Sequence, residues 1–200
     1  MILVGSKNPH KLHEVRAILE PLGLRAVIAV NLPEVEEDGR TFADNARKKA
    51  IEYAAFLRAP CLADDSGLVV PALGDEPGVF SARYAGPESD DDANIDKLLR
   101  RIEEQGLVEP EAYFVCHVAI AVAGAPGEVV VEAEGRVPGR IVGARRGQHG
   151  FGYDPVFFHE ASGATFAELE PDQKNALSHR ANALKALAEK IPAVRDTLDL

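Results

Sequence analysis

Asp64 and Asp65 stand side by side in "LADDSGLVV", with apolar residues before and after them. One aspartate at a strand end is ordinary turn chemistry, because its carboxylate can bond its own backbone. Two in a row beside a hydrophobic core need something to balance their charge. The loop "PEVEEDGR" offers four more carboxylates, Glu34, Glu36, Glu37 and Asp38. By itself such a run is a solvated face. Carboxylates from two separate segments that meet over a phosphate also make a sound Mg²⁺ site, since magnesium takes oxygen ligands, keeps several waters and uses one or two carboxylates plus substrate phosphates. The expectation is therefore that a cation balances the aspartates.

Cationic residues capable of meeting a phosphate lie elsewhere in the chain. "GSKNPHK" runs from a strand into a helix N-terminus, where unpaired N–H groups favour an anion. It is not a P-loop, which closes on Gly-Lys-Ser/Thr, whereas His10, Lys11 and Leu12 stand here. Asn8 and Lys11 can reach phosphate oxygens, or serve as a helix cap and a solvated lysine. Lys49 falls on the apolar stripe of its helix, seven residues after Phe42, with Asn45 one turn earlier. A lysine so placed either snorkels to water or points into an anion site.

Two later stretches carry binding chemistry. "HGFGYDP" sets Gly150 and Gly152 around Phe151, so that backbone can approach a ligand and the ring offers a stacking face. The bland alternative is a core phenylalanine beside turn glycines. "KNALSHR" puts His179 and Arg180 in the first turn of the last helix, with Lys174 upstream. Cations there oppose the helix dipole and cost stability unless an anion joins them. That local conflict marks a candidate site. No His/Cys cluster has zinc spacing, no "GxSxG" elbow occurs, and the paired aspartates lack Asp-x-Asp spacing, so no covalent nucleophile is indicated.

These groups must be positioned by alternating elements. "MILVG" reads as a strand, followed by a helix capped by Asn8, with Pro9 first and Leu12, Val15, Ile18 and Leu22 at helical spacing up to Gly23. A strand near 24–30 precedes the acidic loop, and Thr41 caps the helix "FADNARKKAIEYAAFL". Leu62 and Ala63 read as the end of one strand, and Leu68, Val69 and Val70 as the start of another. "DEPGVF" reads as a turn and "SDDDANIDKLLRRIEEQG" as an amphipathic helix with an acidic first turn. The second half reads as two strands joined by a Pro-Gly turn, with Val129, Val131 and Ala133 alternating with Val130, Glu132 and Glu134. A basic Gly-rich loop then leads into "VFF", Thr165 and Glu168 form a capping-box pattern, and a helix over 179–190 is capped by Ser178. Crossover helices plus a hairpin imply a mixed sheet covered by helices.

The 200 residues suit one sizeable domain, 1–200, or one domain with two lobes. A formal net charge of −10 excludes a coat for nucleic acid backbone or an anionic membrane, but not a small phosphorylated ligand met by a few local cations. Cys61 and Cys116, both in apolar runs, read as buried free thiols of a reducing compartment. "MILVG" is too short for a signal peptide, and no run approaches the roughly 20 apolar residues of a membrane span. A cytoplasmic protein is expected.

Taken in order, "SKNPHK", "EEDGRTFADNARKKA", "LADDSGLVV", "PGVFSARYAG", "GFGYDPVFF" and "KNALSHRANAL" resemble the inosine triphosphate pyrophosphatase family, from Ser6 to about Leu184. The resemblance implies an α/β fold, a long mixed β-sheet flanked by helices in three α/β/α layers, with a nucleotide cleft between two lobes. It implies a cytoplasmic homodimer that uses Mg²⁺ to cleave ITP, dITP and XTP to a monophosphate plus pyrophosphate. Carried over by residue, Asp65 resembles the proton acceptor and, with Glu36, the metal ligand, Glu37 being the neighbouring alternative. The loop of Ser6, Lys7, Asn8, Pro9, His10 and Lys11, with Lys49 and Ser66, resembles the triphosphate site. Phe151, Gly152, Tyr153 and Asp154, with His179 and Arg180, resemble the walls around the base, and Lys174 reaches the nucleotide between them. Lys7 stands where the family often has glycine and Phe80 where tyrosine is common. The rival readings are a pyrophosphatase for pyrimidine nucleotides and a nucleotide sensor without turnover.

Overall fold

Short apolar runs closed by helix punctuation build the first part of the chain. The computed structural model describes residues 2–6, 9–88, 90–124 and 128–198, without the side chains of Pro9, His10, Leu12, His13 and Leu22. Strand β1 (Ile2–Val4) is followed by helix α1 (Pro9–Leu19), which opens on proline as its first helical residue. A 3₁₀ turn over Glu20–Leu22 ends at Gly23, whose φ of 76° suits a residue without Cβ. Val15, Ile18 and Leu19 carry the buried stripe; the cap assigned to Asn8 lies outside the described residues. Strand β2 (Ala26–Ile28) pairs in parallel with β1, Leu3 opposite Val27.

Helix α2 (Phe42–Leu57) starts where Thr41 and Asp44 cap each other reciprocally, at 3.1 and 3.2 Å, and ends on Arg58 in the left-handed region. Three of its alanines, Ala46, Ala50 and Ala54, are fully buried and let the helix approach the sheet closely.

Strand β3 (Cys61–Val70) corrects the sequence expectation of two strands divided by a turn. Asp64, Asp65, Ser66 and Gly67 are all extended within one ten-residue strand. Gly67 is there for proximity rather than for turning. A Cβ on it would lie 2.3 Å from Ser81 Oγ, and that hydroxyl accepts the Leu68 N–H at 2.9 Å. β4 (Glu76–Pro77) pairs antiparallel with the end of β3, and a 3₁₀ segment covers Gly78–Arg83.

Helix α3 (Asp91–Glu104) begins at the Asp90 N-cap, whose carboxylate accepts from Ala93 N–H at 2.8 Å, and buries Ile95, Leu98 and Ile102. Strands β5 (Glu111–Val122) and β6 (Glu128–Ile141) follow, and the Pro-Gly turn between them lies outside the described residues. In β6 Val131 and Ala133 are buried while Glu134 is exposed, as the alternation predicts. β7 (Phe157–His159) and β8 (Ala164–Thr165) are short. Thr165 and Glu168 do cap each other, at the head of a 3₁₀ turn over Phe166–Glu168. Helix α4 (Pro171–Leu177) was not foreseen, although Glu170 and Gln173 form a capping box around Pro171. α5 (His179–Lys190) begins where expected.

Among the described residues, eight strands form one mixed sheet in the order β2-β1-β3-β5-β6-β7-β8, with β4 on β3. Contacts divide the chain into two compact units: residues 1–65, 116–135 and 179–200, and residues 66–115 and 136–178. In the first unit, Leu62, Cys116, Val118 and Ile120 join α1 and α5 in one cluster, while Cys61, Ala63, Ala119 and Ala121 join α2 in another. Alternating strand residues thus feed opposite faces of the sheet. The second unit packs Leu68, Val70, Ile95 and Leu98 around Phe114, Phe157 and Phe166, the Phe114 and Phe157 rings 4.5 Å apart. Each fully buried Leu or Phe contributes about 1.5–3 kcal/mol over an exposed one. No described helix is long and apolar enough to cross a membrane.

Candidate active site

The alternation along β3 sends Asp65 to the α2 face with Ala63, and Asp64 to the α1/α5 face with Leu62. Each carboxylate meets its own cations, so among the described residues side chains balance the paired charge.

On the α2 face, Asn45 Nδ2 donates to Asp65 Oδ2 at 3.0 Å, and Lys49 Nζ lies 3.4 Å from Asp65 Oδ1. The same ammonium donates to Glu37 Oε1 at 2.9 Å. Asn45 also anchors the acidic loop, because its Oδ1 accepts Gly39 N–H at 2.8 Å. A side chain on Gly39 would put Cβ 2.5 Å from that oxygen, so glycine is needed for the loop to lie there. Lys48 holds Asp38 at 2.7 Å on the outside. Lys49 is 7% exposed: it neither snorkels nor stands free, but bridges two carboxylates. Of the two candidate partners for Asp65, Glu37 is drawn to this ammonium, while Glu36 is exposed.

Burial pushes the Asp65 carboxyl above its ordinary value, with Lys49 pulling the other way. Burial likewise disfavours the Lys49 ammonium, but Asp65, Asp64 and Glu37 outweigh it and hold the lysine charged. Asp64 shows the opposite balance. Burial would raise it, but Lys11 and Arg180 hold it well below the usual carboxylate range. Two adjacent carboxylates are thereby pushed apart, the pattern that separates a base from a permanent anion.

On the other face, Asp64 Oδ2 is 3.1 Å from Lys11 Nζ and 3.4 Å from Arg180 Nη2. Arg180 Nη1 also donates to Glu14 of α1. Arg180 is 1% exposed, and these two carboxylates supply the anions that a cation in the first turn of α5 requires. His179 is buried beside it. Glu14 was not singled out from the sequence; one buried acid among helical polar residues gives no local signal. The Cys116 thiol also touches Asp64, Sγ to Oδ2 being 3.8 Å. Both cysteines are free and buried, and burial pushes each thiol up to about 12, so they stay protonated and inert.

In the second unit, the Gly-rich loop wraps the Asp154 carboxylate. Asp154 Oδ2 accepts Phe151 N–H at 2.8 Å and pairs with Lys174 Nζ at 2.6 Å. A Cβ on Gly150 would lie 2.1 Å from the same oxygen, so glycine is needed both for space and for a φ of 78°. The Lys174 ammonium also lies 4.6 Å from the centroid of the half-buried Phe151 ring, a cation–π geometry. Tyr153 is buried, its hydroxyl donating to Ser81 O at 2.8 Å, and so anchors the loop. Asp154 and Lys174 are each at most 5% exposed.

Of the remaining sequence candidates, Ser6 follows β1 and Ser66 follows Asp65 in β3, both half-buried. Lys7 and Asn8, and the side chains of Pro9 and His10, lie outside the described residues. Among those described, no three His, Cys, Asp or Glu side chains gather into a metal-holding group. Asp65 and Glu37 on one ammonium nevertheless fit Mg²⁺, which needs only one or two carboxylates when substrate phosphates complete its shell.

Comparison with known proteins places the chain in a family. The model of the Ham1 family matches residues 2–190. The dITP/XTP pyrophosphatase of Shouchella clausii is 44% identical over 198 residues, covering 96% of this chain and 97% of that protein. Its counterpart from Geobacillus kaustophilus is 45% identical over 192 residues, covering 94% and 93%. Among solved structures, a HAM1 protein from Coxiella burnetii matches with a TM-score of 0.87 and 38% identity, covering 96% of this chain and 98% of that one. A nucleoside-triphosphatase / dITP/XTP pyrophosphatase from Mycobacterium abscessus matches at 0.73 with 43% identity, covering 93% and 96%. The mixed α/β fold and the resemblance read from the six stretches are both borne out, and the chain belongs to the Ham1 family.

Proposed function

We propose that this chain hydrolyses dITP, XTP and ITP to the nucleoside monophosphate and pyrophosphate, with Mg²⁺. The observation that carries the reading is the buried Asp65 carboxylate, held by Asn45 and Lys49 with Glu37 on the same ammonium. The relatives' names supply the substrate class.

In this reading Asp65 accepts the proton of the attacking water. The water oxygen forms a bond to the α-phosphorus, the bond from that phosphorus to the bridging oxygen breaks, and pyrophosphate leaves with the electron pair. A carboxyl raised by burial is a better base near neutral pH than one at about 3.9. Lys49 neutralises charge as it develops on the phosphates, with Lys11, Ser6, Ser66 and the loop of Lys7, Asn8, Pro9 and His10 around them. Asp65 and Glu37 would hold a divalent cation, which would supply acidification and positioning of the water. Glu36 is the alternative ligand from the same loop, disfavoured by its exposure.

The base is assigned to Phe151, Gly152, Tyr153 and Asp154, with Lys174, His179 and Arg180. Donors aimed at a 6-oxo oxygen reject a 6-amino group, which leaves them unpaired, by roughly 10⁴-fold. The buried ion pairs of Lys174 and Arg180 hold these side chains in one geometry. The reading extends to a homodimer acting in the cytoplasm, with residues 1–200 as one two-lobed domain.

Product analysis with Mg²⁺ across ITP, XTP, dITP, GTP, ATP and dTTP tests it. Pyrophosphate from the first three is expected. Orthophosphate, a preference for dTTP, or tight binding without turnover would sink the reading.

A further inference from the structure

Asp91 opens α3 at the surface, yet its Oδ2 accepts the Gly152 N–H at 2.7 Å, from 61 residues along the chain. Charge-assisted bonds of this kind are about twice as strong as neutral ones. The neighbouring amide, Phe151 N–H, goes to Asp154 Oδ2 at 2.8 Å. The two peptide units flanking Phe151 are therefore held by two different carboxylates, one inside the loop and one from α3. With both planes fixed, the backbone dihedrals of Phe151 are set, and with them the direction in which its side chain leaves the backbone. Gly152, at φ 60°, would otherwise swing easily, because glycine has little steric barrier there.

The same helix holds the beginning of the loop. Arg145 Nη2 donates to Asp96 Oδ1 at 2.7 Å and to the Asp92 carbonyl at 3.2 Å. The α3 N-terminal half thus grips the loop at both ends. An acidic first turn also suits the helix dipole, but dipole stabilisation needs no directed bond to a residue of another element.

We propose that Asp91 is a positioning residue for base recognition, orienting Phe151 through the Gly152 amide. The inference rests on the reading that Phe151–Asp154 meet the base. Asp91 acts on the ring's orientation and leaves the phosphate end untouched.

The test uses the full chain as wild type, Asp91→Ala and Asp91→Asn, assayed with dITP and XTP, and with tripolyphosphate as a competitive inhibitor lacking a base. Asp91→Ala is expected to raise KM for dITP about tenfold, with kcat changed by less than about threefold. Asp91→Asn keeps an acceptor oxygen and is expected to recover most of that loss. Tripolyphosphate inhibition and the melting temperature stay at wild-type values. An unchanged KM in Asp91→Ala, an Asn variant as impaired as the Ala variant, or a parallel weakening of tripolyphosphate would each overturn the proposal. Wild type that turns over while Asp91→Ala matches it defeats this inference alone. Wild type that releases no pyrophosphate from dITP or XTP defeats the functional reading, and this inference with it.

Discussion

The Lys49 ammonium lies 3.4 Å from the Asp65 carboxylate, both side chains more than nine-tenths buried. The pair sets a pH dependence whose sign follows from the geometry. In its proposed role Asp65 must be ionised to accept a proton, and burial raises its carboxyl above the ordinary value while Lys49 opposes the rise. Activity therefore falls as pH drops through the raised value. Lys49→Gln removes the opposing charge, so the acid limb of the kcat/KM profile moves to higher pH, besides any overall loss from weaker phosphate binding. A limb that stays in place would assign the titration to another group.

Asp65→Asn keeps the size and the Asn45 contact but removes the base. Turnover is expected to fall by about 10²–10⁴-fold. Circular dichroism and melting temperature check that the fold survives; residual activity near wild type would remove Asp65 from its assigned role.

Asp64→Asn leaves Lys11 and Arg180 without their shared anion, although Arg180 keeps Glu14. Breaking a buried pair in this way costs about 3–5 kcal/mol, and the melting temperature is expected to fall by roughly 6–20 °C at about 2–4 °C per kcal/mol. Because Asp64 is depressed in the folded state, its contribution is full above its unfolded value near 3.8 and is lost as pH falls further. The variant should accordingly show a shallower acid dependence of stability than wild type.

The acidic loop gives a paired test of metal binding. Glu37→Gln is expected to raise the Mg²⁺ concentration for half-maximal activity by about tenfold or more. Glu36→Gln, on an exposed side chain, should shift it little. Reversal of the two results would return the ligand to Glu36.

Gly135 lies in β6 where a Cβ would come 2.2 Å from Ala183 N and 2.4 Å from His179 O. Both atoms belong to the α5 backbone, so nothing can swing aside. Gly135→Ala is expected to destabilise the protein by about 1–3 kcal/mol, as overpacking does, and to displace the turn that carries Arg180. Chemical denaturation measures the first effect.

Much of the frame was legible because its signals are local. Thr41 and the Thr165–Glu168 pair announce their own turns, proline opens α1, and Gly23 closes the 3₁₀ turn that follows it. The division of β3 was misread because Asp-Asp-Ser-Gly has turn composition, and the partners that let it stay extended are far away in the chain. Lys11, Lys49, Arg180 and Ser81 arrive from four other elements, and no window around residue 65 contains them. Helix α4 escaped notice for a different reason: its seven residues are too few for a periodic stripe, leaving only the Glu170–Gln173 box as a clue. The meeting of Glu37 with Lys49 depends on Gly39, whose amide folds the loop onto Asn45.

The difference between Asp64 and Asp65 is one of odd and even. Their side chains are chemically identical, and what makes one a permanent anion and the other a raised carboxyl is which side of β3 its position number selects. One residue inserted between Leu62 and Asp64 would turn Asp64 to the Lys49 face and Asp65 to the opposite face, about 6.6 Å beyond the place where Lys11 and Arg180 now meet a carboxylate. The pleat of the strand, and not the chemistry of the side chain, decides which aspartate meets which cation.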